Sequence, residues 1–141
     1  MLYLLDHACF FDATCIMPCR SDIEEFNINK LRSLNFPIAR INTIHTEGSE
    51  AHKADSDVAK GLESYLLLSR GLRIMLKSNL WTEASLVNGL MGTVQEIIYE
   101  ENQIPPSLPI AVIVEFDNYS DPTILTADGK KLILIVPIRY I

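Results

Sequence analysis

The chain has 141 residues, which is enough for one compact domain or two very small ones. With 48% hydrophobic and 21% charged residues it has the composition of a folded protein, which excludes a disordered chain. No apolar run approaches the length of about 18 residues that a membrane-spanning helix needs. Three cysteines, an odd number, do not suit a secreted disulfide framework. We therefore expect an intracellular, soluble protein with no membrane contact.

The charges are distributed unevenly. Twelve basic and eighteen acidic residues give a net charge of −6, which disfavours a free-standing nucleic-acid binder. Residues 1–77 are close to neutral, whereas residues 78–129 contain eight acidic residues and no Lys or Arg. A solvated acidic face without a partner is one interpretation of that second stretch. A phosphate-facing surface would have to use other basic residues, namely Arg70, Arg73 and Lys77, or Lys130, Lys131 and Arg139.

The N-terminal third predicts one strand–helix unit. Residues 10–17 are apolar and end at a proline, which predicts a short buried strand. Ser21 and Glu24 have the spacing of a capping box, and apolar residues then recur at helical intervals. We predict a helix over residues 22–34, stopped by Asn35 and the following proline.

Short strands dominate the rest of the predicted structure. Residues 38–44 predict a second strand, and the polar residues 46–60 predict a long surface loop. Further strands are predicted at 72–77, 91–99, 110–116, 124–125 and 132–136. Turn residues separate them, including Asn-Gly at 88–89 and Asp-Gly at 128–129, which supply the positive φ angles of tight hairpins. This spacing predicts a small barrel or sandwich.

The sequence lacks the usual motifs of nucleotide hydrolysis and of hydrolase chemistry. No phosphate-binding loop, dinucleotide fingerprint, nucleophile elbow or zinc-protease motif is present, so we expect no ATPase activity from this chain alone. A zinc site on His7, Cys9, Cys15 and Cys19 would lack the C-x-x-C spacing, which favours core or incidental cysteines. His45 and His52 have no catalytic partner. The carboxylate pairs Asp55/Asp57 and Glu100/Glu101 are explained by solvated loops.

The single tryptophan, Trp81, has two interpretations. Because it follows a basic strand, it could be a base-stacking platform. The alternative is a buried or half-buried anchor of the small barrel.

One long motif resembles a known family. The runs are G-L-R-I-M-L-K-S-N-L-W-T-E-A at 71–84 and L-V-N-G-L-M-G-T-V at 86–94. They are similar to the G-A-R-V-M-L-x-x-N-L-W-x-E-x-G-L-V-N-G-x-x-G-T-V segment of the Pif-type (petite-integration-frequency) ATP-dependent DNA helicases, including the Helitron-associated branch. Residues 20–31, 108–119 and 136–138 also resemble that family, so the similarity spans roughly residues 14–141. Leu72 stands where alanine is usual.

The resemblance implies a mixed α/β fold. Residues 1–46 would be part of the second RecA-like motor domain, 47–70 a loop or linker, and 71–141 a small Src-homology-3-like (SH3-like) β-barrel with a return strand. The family couples ATP hydrolysis to 5′-to-3′ movement on single-stranded DNA in replication, recombination, repair and telomere maintenance. That activity implies a nuclear location, or alternatively a mitochondrial one.

The resemblance also implies that the catalytic machinery lies outside this chain. The nucleotide loop and the metal-binding acidic motif would precede Met1, and a T-x-H-K-S-Q-G type motif would follow Ile141. We therefore expect no catalytic residue, metal or cofactor in this chain, with ATP and Mg²⁺ belonging to the complete enzyme. The partners would be single-stranded DNA and the remainder of the motor domains.

Four residues are carried over as candidate site residues. Arg20 matches an arginine at the nucleotide cleft, with a surface charge near a helix start as the alternative. Arg73, Lys77 and Asn79 would contact DNA phosphate or position the channel wall. For Asn88, Gly89 and Gly92 the resemblance implies a geometric role.

Two other functions stay open beside a helicase fragment. One is a free-standing small-barrel interaction module without enzymatic activity, which the acidic stretch 78–129 favours. The other is a small metal-dependent enzyme, which would require stoichiometric zinc.

Overall fold

The structure is a computed structural model that describes residues 13–44, 64–119, 124–125 and 128–138. The chain divides after Lys30 into two compact units. In the described residues, no helix is both long and apolar enough to cross a membrane. The predicted loop at 46–60 lies outside the described residues.

Helix α1 covers Arg20–Ser33, so the predicted helix is confirmed with a start two residues earlier. The capping box is wrong. The Ile23 amide already donates to the Cys19 carbonyl at 3.2 Å, and Ser21 lies inside the helix with its hydroxyl donating to the Asp22 carboxylate at 3.4 Å. At the other end Asn35 adopts a left-handed φ of 56°, which ends the helix as predicted.

The strand predicted at 10–17 is wrong in its described part. Residues 13–17 have no regular secondary structure, and the Ile16 side chain is 97% exposed. Apolar composition was the only basis for this prediction, and in the described residues no strand pairs with this segment. A strand needs a partner for its backbone groups.

Two strands form a separate antiparallel ribbon. Strand β1 covers Ala39–Asn42, which confirms the prediction at 38–44, and β2 covers Tyr65–Leu68. Ala39 lies opposite Leu68, and Asn42 lies opposite Tyr65. Strand β2 falls in the segment 47–70 that we predicted as a loop or linker, so that prediction is wrong for these four residues.

Five strands form the second sheet, and all five predicted strands are confirmed. They are β3 (Arg73–Met75), β4 (Met91–Ile98), β5 (Ala111–Phe116), β6 (Ile124–Leu125) and β7 (Lys131–Ile135). Their order is β3-β4-β5-β7-β6 with every pair antiparallel. Strand β4 carries a β-bulge between Val94 and Glu96, where its register against β5 shifts by one residue.

The core joins the ribbon to the five-stranded sheet. Val94 of β4 and Val114 of β5 are fully buried. Val94 packs in one cluster with Ala39, Ile41 and Leu68 of the ribbon. A second cluster surrounds Val114, and its other buried members are Leu76, Ala84, Leu86, Phe116 and Tyr119. Burial of these side chains is the main stabilising contribution in this unit.

A closed barrel is not seen among the described residues. The strand order ends at β3 on one side and at the two-residue strand β6 on the other, and the described pairings do not join these two edges. The structure therefore shows a mixed fold with antiparallel sheets, which is compatible with a partial RecA-like unit. The division into 1–46, 47–70 and 71–141 stays a prediction.

Candidate nucleic-acid interface

The candidate surface begins on β3, where side chains alternate between core and solvent. Ile74 and Leu76 pack into the core, whereas Arg73, Met75 and Lys77 are exposed. This period of two is the expected pattern for a strand with one buried face. The alternation therefore presents two cationic groups with an exposed methionine between them in sequence.

A loop between β3 and β4 is closed at its base by backbone hydrogen bonds. The Leu76 amide donates to the Leu90 carbonyl, and the Gly89 amide donates to the Leu76 carbonyl, both at 2.9 Å. The predicted turn at 88–89 is confirmed: Gly89 has a φ of 92°, and the Leu90 amide donates to the Val87 carbonyl at 3.1 Å.

The loop has internal structure of its own. The Leu80 and Trp81 amides both donate to the Leu86 carbonyl, at 2.8 and 3.1 Å, and the Leu86 amide donates back to Trp81. A short 3₁₀ helix, Thr82–Ala84, forms the tip. Because Ala84 and Leu86 are buried in the core, the loop is fixed on the sheet. The side chain of Trp81 is 49% exposed, which agrees with a half-buried anchor and leaves part of the ring in solvent.

Asn79 has a structural role inside this loop. Its side-chain carbonyl accepts a hydrogen bond from the Asn88 amide at 2.9 Å, which ties the two legs of the loop together. The Asn79 oxygen is therefore engaged by the backbone. A contact between Asn79 and DNA phosphate stays a prediction.

Arg73 is paired with a carboxylate. Its guanidinium donates to both Asp117 oxygens, at 2.9 and 2.5 Å, and to the Thr93 hydroxyl at 3.1 Å. The hydrogen bond from Arg73 lowers the pKa of Asp117 below its ordinary value, although partial desolvation opposes this shift. Asp117 belongs to the acidic stretch 78–129, for which the sequence suggested no cationic partner, so this acceptor was missed.

The other basic candidates lie at separate places. Arg70 lies over the ring of Phe36, with 5.8 Å between the guanidinium carbon and the ring centroid. Lys130 lies 3.8 Å from a Glu115 carboxylate oxygen, and this oxygen also accepts from the Gln95 amide at 2.8 Å. Arg139 lies outside the described residues.

Arg20, the predicted nucleotide-binding residue, is the first residue of α1 and is exposed. It belongs to the unit that ends at Lys30, whereas Arg73, Lys77 and Asn79 belong to the other unit. The three predicted DNA contacts thus lie together on β3 and its following loop, and Arg20 belongs to a different part of the chain.

Metal-ligating and acid–base groups are sparse in the described part of the chain. Residues 13–44, 64–119 and 128–138 contain no group of three His, Cys, Asp or Glu side chains that could hold a metal ion. Cys15 and Cys19 are exposed free thiols. Glu100 accepts a hydrogen bond from Gln103 at 3.1 Å in an exposed turn. His7, Cys9, His45, His52, Asp55 and Asp57 all lie outside the described residues.

One comparison with known proteins finds a similar fold. No family model and no curated protein matches the chain. The chain is similar to the crystal structure of Pif1 helicase from Candida albicans, with a TM-score of 0.56 and 15% identity over 85% of this chain. It covers 28% of that helicase chain, so it spans about a quarter of the protein it matches. The chain therefore has a helicase-like fold, similar to that of part of the Pif1 helicase chain.

Proposed function

We propose that this chain is a segment of a Pif-type ATP-dependent DNA helicase of the Helitron-like branch. In this role it contributes surface along the path of single-stranded DNA. The observation that carries the proposal is the similarity in fold to Pif1 helicase over 85% of the chain. The motif run at 71–94 supports the same family from the sequence.

In this proposal the five-stranded sheet is the small SH3-like element that guides the strand. Arg73 lies on β3 and Lys77 follows two residues after the end of that strand, and both side chains are exposed. Lysine and arginine contacts to phosphate bind a strand without reading its sequence. A phosphate would have to exchange with Asp117 for the Arg73 guanidinium.

Hydrolysis would occur elsewhere in the complete enzyme. ATP and Mg²⁺ would bind at motifs outside this chain, with Arg20 reaching the nucleotide cleft from this one. In a complete helicase we expect Arg20→Ala to lower the rate of ATP hydrolysis and to leave DNA affinity unchanged. The proposed setting is DNA recombination, repair and telomere maintenance in the nucleus.

A salt titration of oligonucleotide binding tests the proposal. We expect log affinity to fall linearly with log salt for the wild-type chain, with a slope of about −0.7 per phosphate contacted on a single strand. Lys77→Ala should make the slope shallower by roughly 0.7. Lys30→Ala is the control, because that ammonium lies over Phe26 on α1, at 5.9 Å from the ring centroid. Binding that is absent or independent of salt would contradict the proposal.

A free-standing interaction module is the second candidate. The stretch 78–129 favours it, because eight acidic residues without one basic residue repel a polyanion. Such a module would bind protein rather than DNA. The module hypothesis predicts no oligonucleotide binding at low salt, whereas the helicase proposal predicts salt-dependent binding in the same titration.

A further inference from the structure

We propose that the β1–β2 ribbon carries a second nucleic-acid contact, a base-stacking platform for a single strand. The platform consists of two arginine–aromatic pairs, Arg40 with Tyr65 and Arg70 with Phe36. This inference rests on the proposed function for its ligand class and adds a site that stacks bases to a surface that binds phosphates.

The first pair lies on the exposed face of the ribbon. The guanidinium carbon of Arg40 lies 4.4 Å from the centroid of the Tyr65 ring, which is a stacking distance. Tyr65 is 44% exposed, and Arg40 is also exposed. Ala39 and Ile41, the neighbours of Arg40 on β1, are buried in the core. The ribbon therefore keeps its arginine and its tyrosine in solvent while Ala39, Ile41 and Leu68 of its other face pack in the core.

The second pair lies beyond the other end of the ribbon. Phe36 precedes β1 and is 48% exposed, and Arg70 follows β2 and lies over its ring. Because Ala39 lies opposite Leu68, the start of β1 and the end of β2 meet at this end. At about 3.3 Å per residue of extended chain, the four or five residues between the pairs span at most roughly 13–17 Å. That separation is enough for each pair to contact a different nucleotide of one strand.

The charge around the ribbon fits a polyanion. Residues 31–44 and 64–77 contain five basic residues and no acidic residue. Arg70 is also only three residues before Arg73, so the platform is continuous in sequence with the β3 surface. Within these two stretches the surface thus combines exposed arginines with exposed aromatic rings and contains no acidic residue.

This combination selects among anionic ligands. An acidic peptide would use the arginines but would have no use for the rings, and a duplex hides the faces of its bases. A single strand offers both phosphates and unstacked bases, which stack on aromatic rings and on guanidinium planes. Single-stranded nucleic acid is therefore the occupant that uses both the arginines and the aromatic rings of the platform.

Two fluorescent strands of about 12 nucleotides test the platform, one of oligothymidine and one abasic strand with the same phosphates. We expect the wild-type chain to bind the oligothymidine more tightly than the abasic strand. Tyr65→Ala and Arg40→Lys should each weaken binding of oligothymidine by about 5-fold or more, because one stacked base contributes about 1–3 kcal/mol. Both should change binding of the abasic strand by less than about twofold, since the phosphate contacts remain.

Arg32→Lys is the matched control, because Arg32 lies in the same acid-free region on α1 and should leave both affinities unchanged. Circular dichroism checks that each variant folds. If Tyr65→Ala does not fold, Arg40→Lys still tests the platform, because it retains both the positive charge and the tyrosine. Equal wild-type affinity for the two strands, or equal losses on both, would overturn the platform while leaving the proposed function intact. No wild-type binding to either strand would overturn both.

Discussion

Two regions of the larger unit share one core and carry opposite charges. The described residues 31–44 and 64–77, which include the ribbon and β3, contain five basic residues and no acidic one. The described residues 78–119, which include β4 and β5, contain six acidic residues and no basic one. Val94 of β4 nevertheless packs against Ala39 and Ile41 of the ribbon. The comparison teaches that the acidic region supplies most of the buried core, whereas the basic region supplies the exposed groups suited to a ligand.

Substituting one phenylalanine in each region tests this division most strongly. Phe116→Ala removes a buried ring from the core of the sheet, and we expect it to lower the free energy of unfolding by about 3–5 kcal/mol. Phe36→Ala removes a ring that is half exposed, so it should lower that free energy by less than about 1 kcal/mol. Urea unfolding measures both. Similar losses would show that stability is not concentrated in the sheet.

Gly92→Ala tests the close packing between β4 and β5. A Cβ atom at Gly92 would lie 2.7 Å from the Phe116 ring, 2.8 Å from a Val114 methyl group and 3.0 Å from the Glu115 carbonyl oxygen. We expect a loss of about 1–3 kcal/mol in the free energy of unfolding. Gly89→Ala is a useful contrast, because nothing lies within 4 Å there and only its φ of 92° opposes a side chain. An unchanged urea midpoint for Gly92→Ala would contradict this packing.

Asn79 allows a structural role to be separated from a role in binding. Asn79→Ala removes the acceptor of the Asn88 amide and should lower the free energy of unfolding by about 1 kcal/mol. Asn79→Asp retains an acceptor oxygen and should be closer to the wild type. If both variants retain full stability but lose oligonucleotide affinity, the predicted DNA contact is the main role of this residue.

The Arg73–Asp117 pair is expected to give the smallest change in stability. Asp117→Asn should lower the free energy of unfolding by at most about 1 kcal/mol, because the pair is exposed. The same change removes the negative charge beside Arg73, so oligonucleotide affinity at low salt should rise a few-fold, measured by fluorescence anisotropy. An unchanged or lower affinity would show that Arg73 does not contact the strand.

The pair also makes a prediction about pH. Arg73 lowers the pKa of Asp117 below its ordinary value of 3.8, so ionised Asp117 stabilises the folded state at pH values above that range. This contribution should be lost as the pH falls through the lowered pKa, because the carboxyl group becomes protonated. Asp117→Asn should remove that part of the acid dependence of unfolding.

The strands after residue 70 were predictable because local chemistry marks their ends. Gly89 and Gly129 both adopt positive φ angles in turns that the sequence indicates. Strand β2 was not predictable in this way. Its apolar residues do not alternate with polar ones, and its partner β1 precedes it by more than twenty residues. Pairing over such a distance depends on tertiary packing rather than on local preference.

The candidate site was predictable in its residue types and not in its contacts. Arg73 and Lys77 follow from the charge distribution and from the family motif. The pairing of Arg73 with Asp117 joins residues that are 44 positions apart, and the bond from Asn88 to Asn79 spans nine. Neither spacing has a sequence signature. Arg40 and Tyr65 were missed for the same reason, because only the pairing of β1 with β2 brings them together.

The β-bulge in β4 sets which side chains face inward along the rest of that strand. Before it, Val94 lies opposite the buried Val114, and after it Ile97 lies opposite Val112, which also packs against the core. The extra residue reverses the odd–even phase, so Glu96 is exposed where an unbroken strand would turn it inward. If the same residues paired with β5 without the bulge, Glu96 would face inward and Ile97 would face solvent. For this strand, the position of the bulge is as strict a requirement as composition.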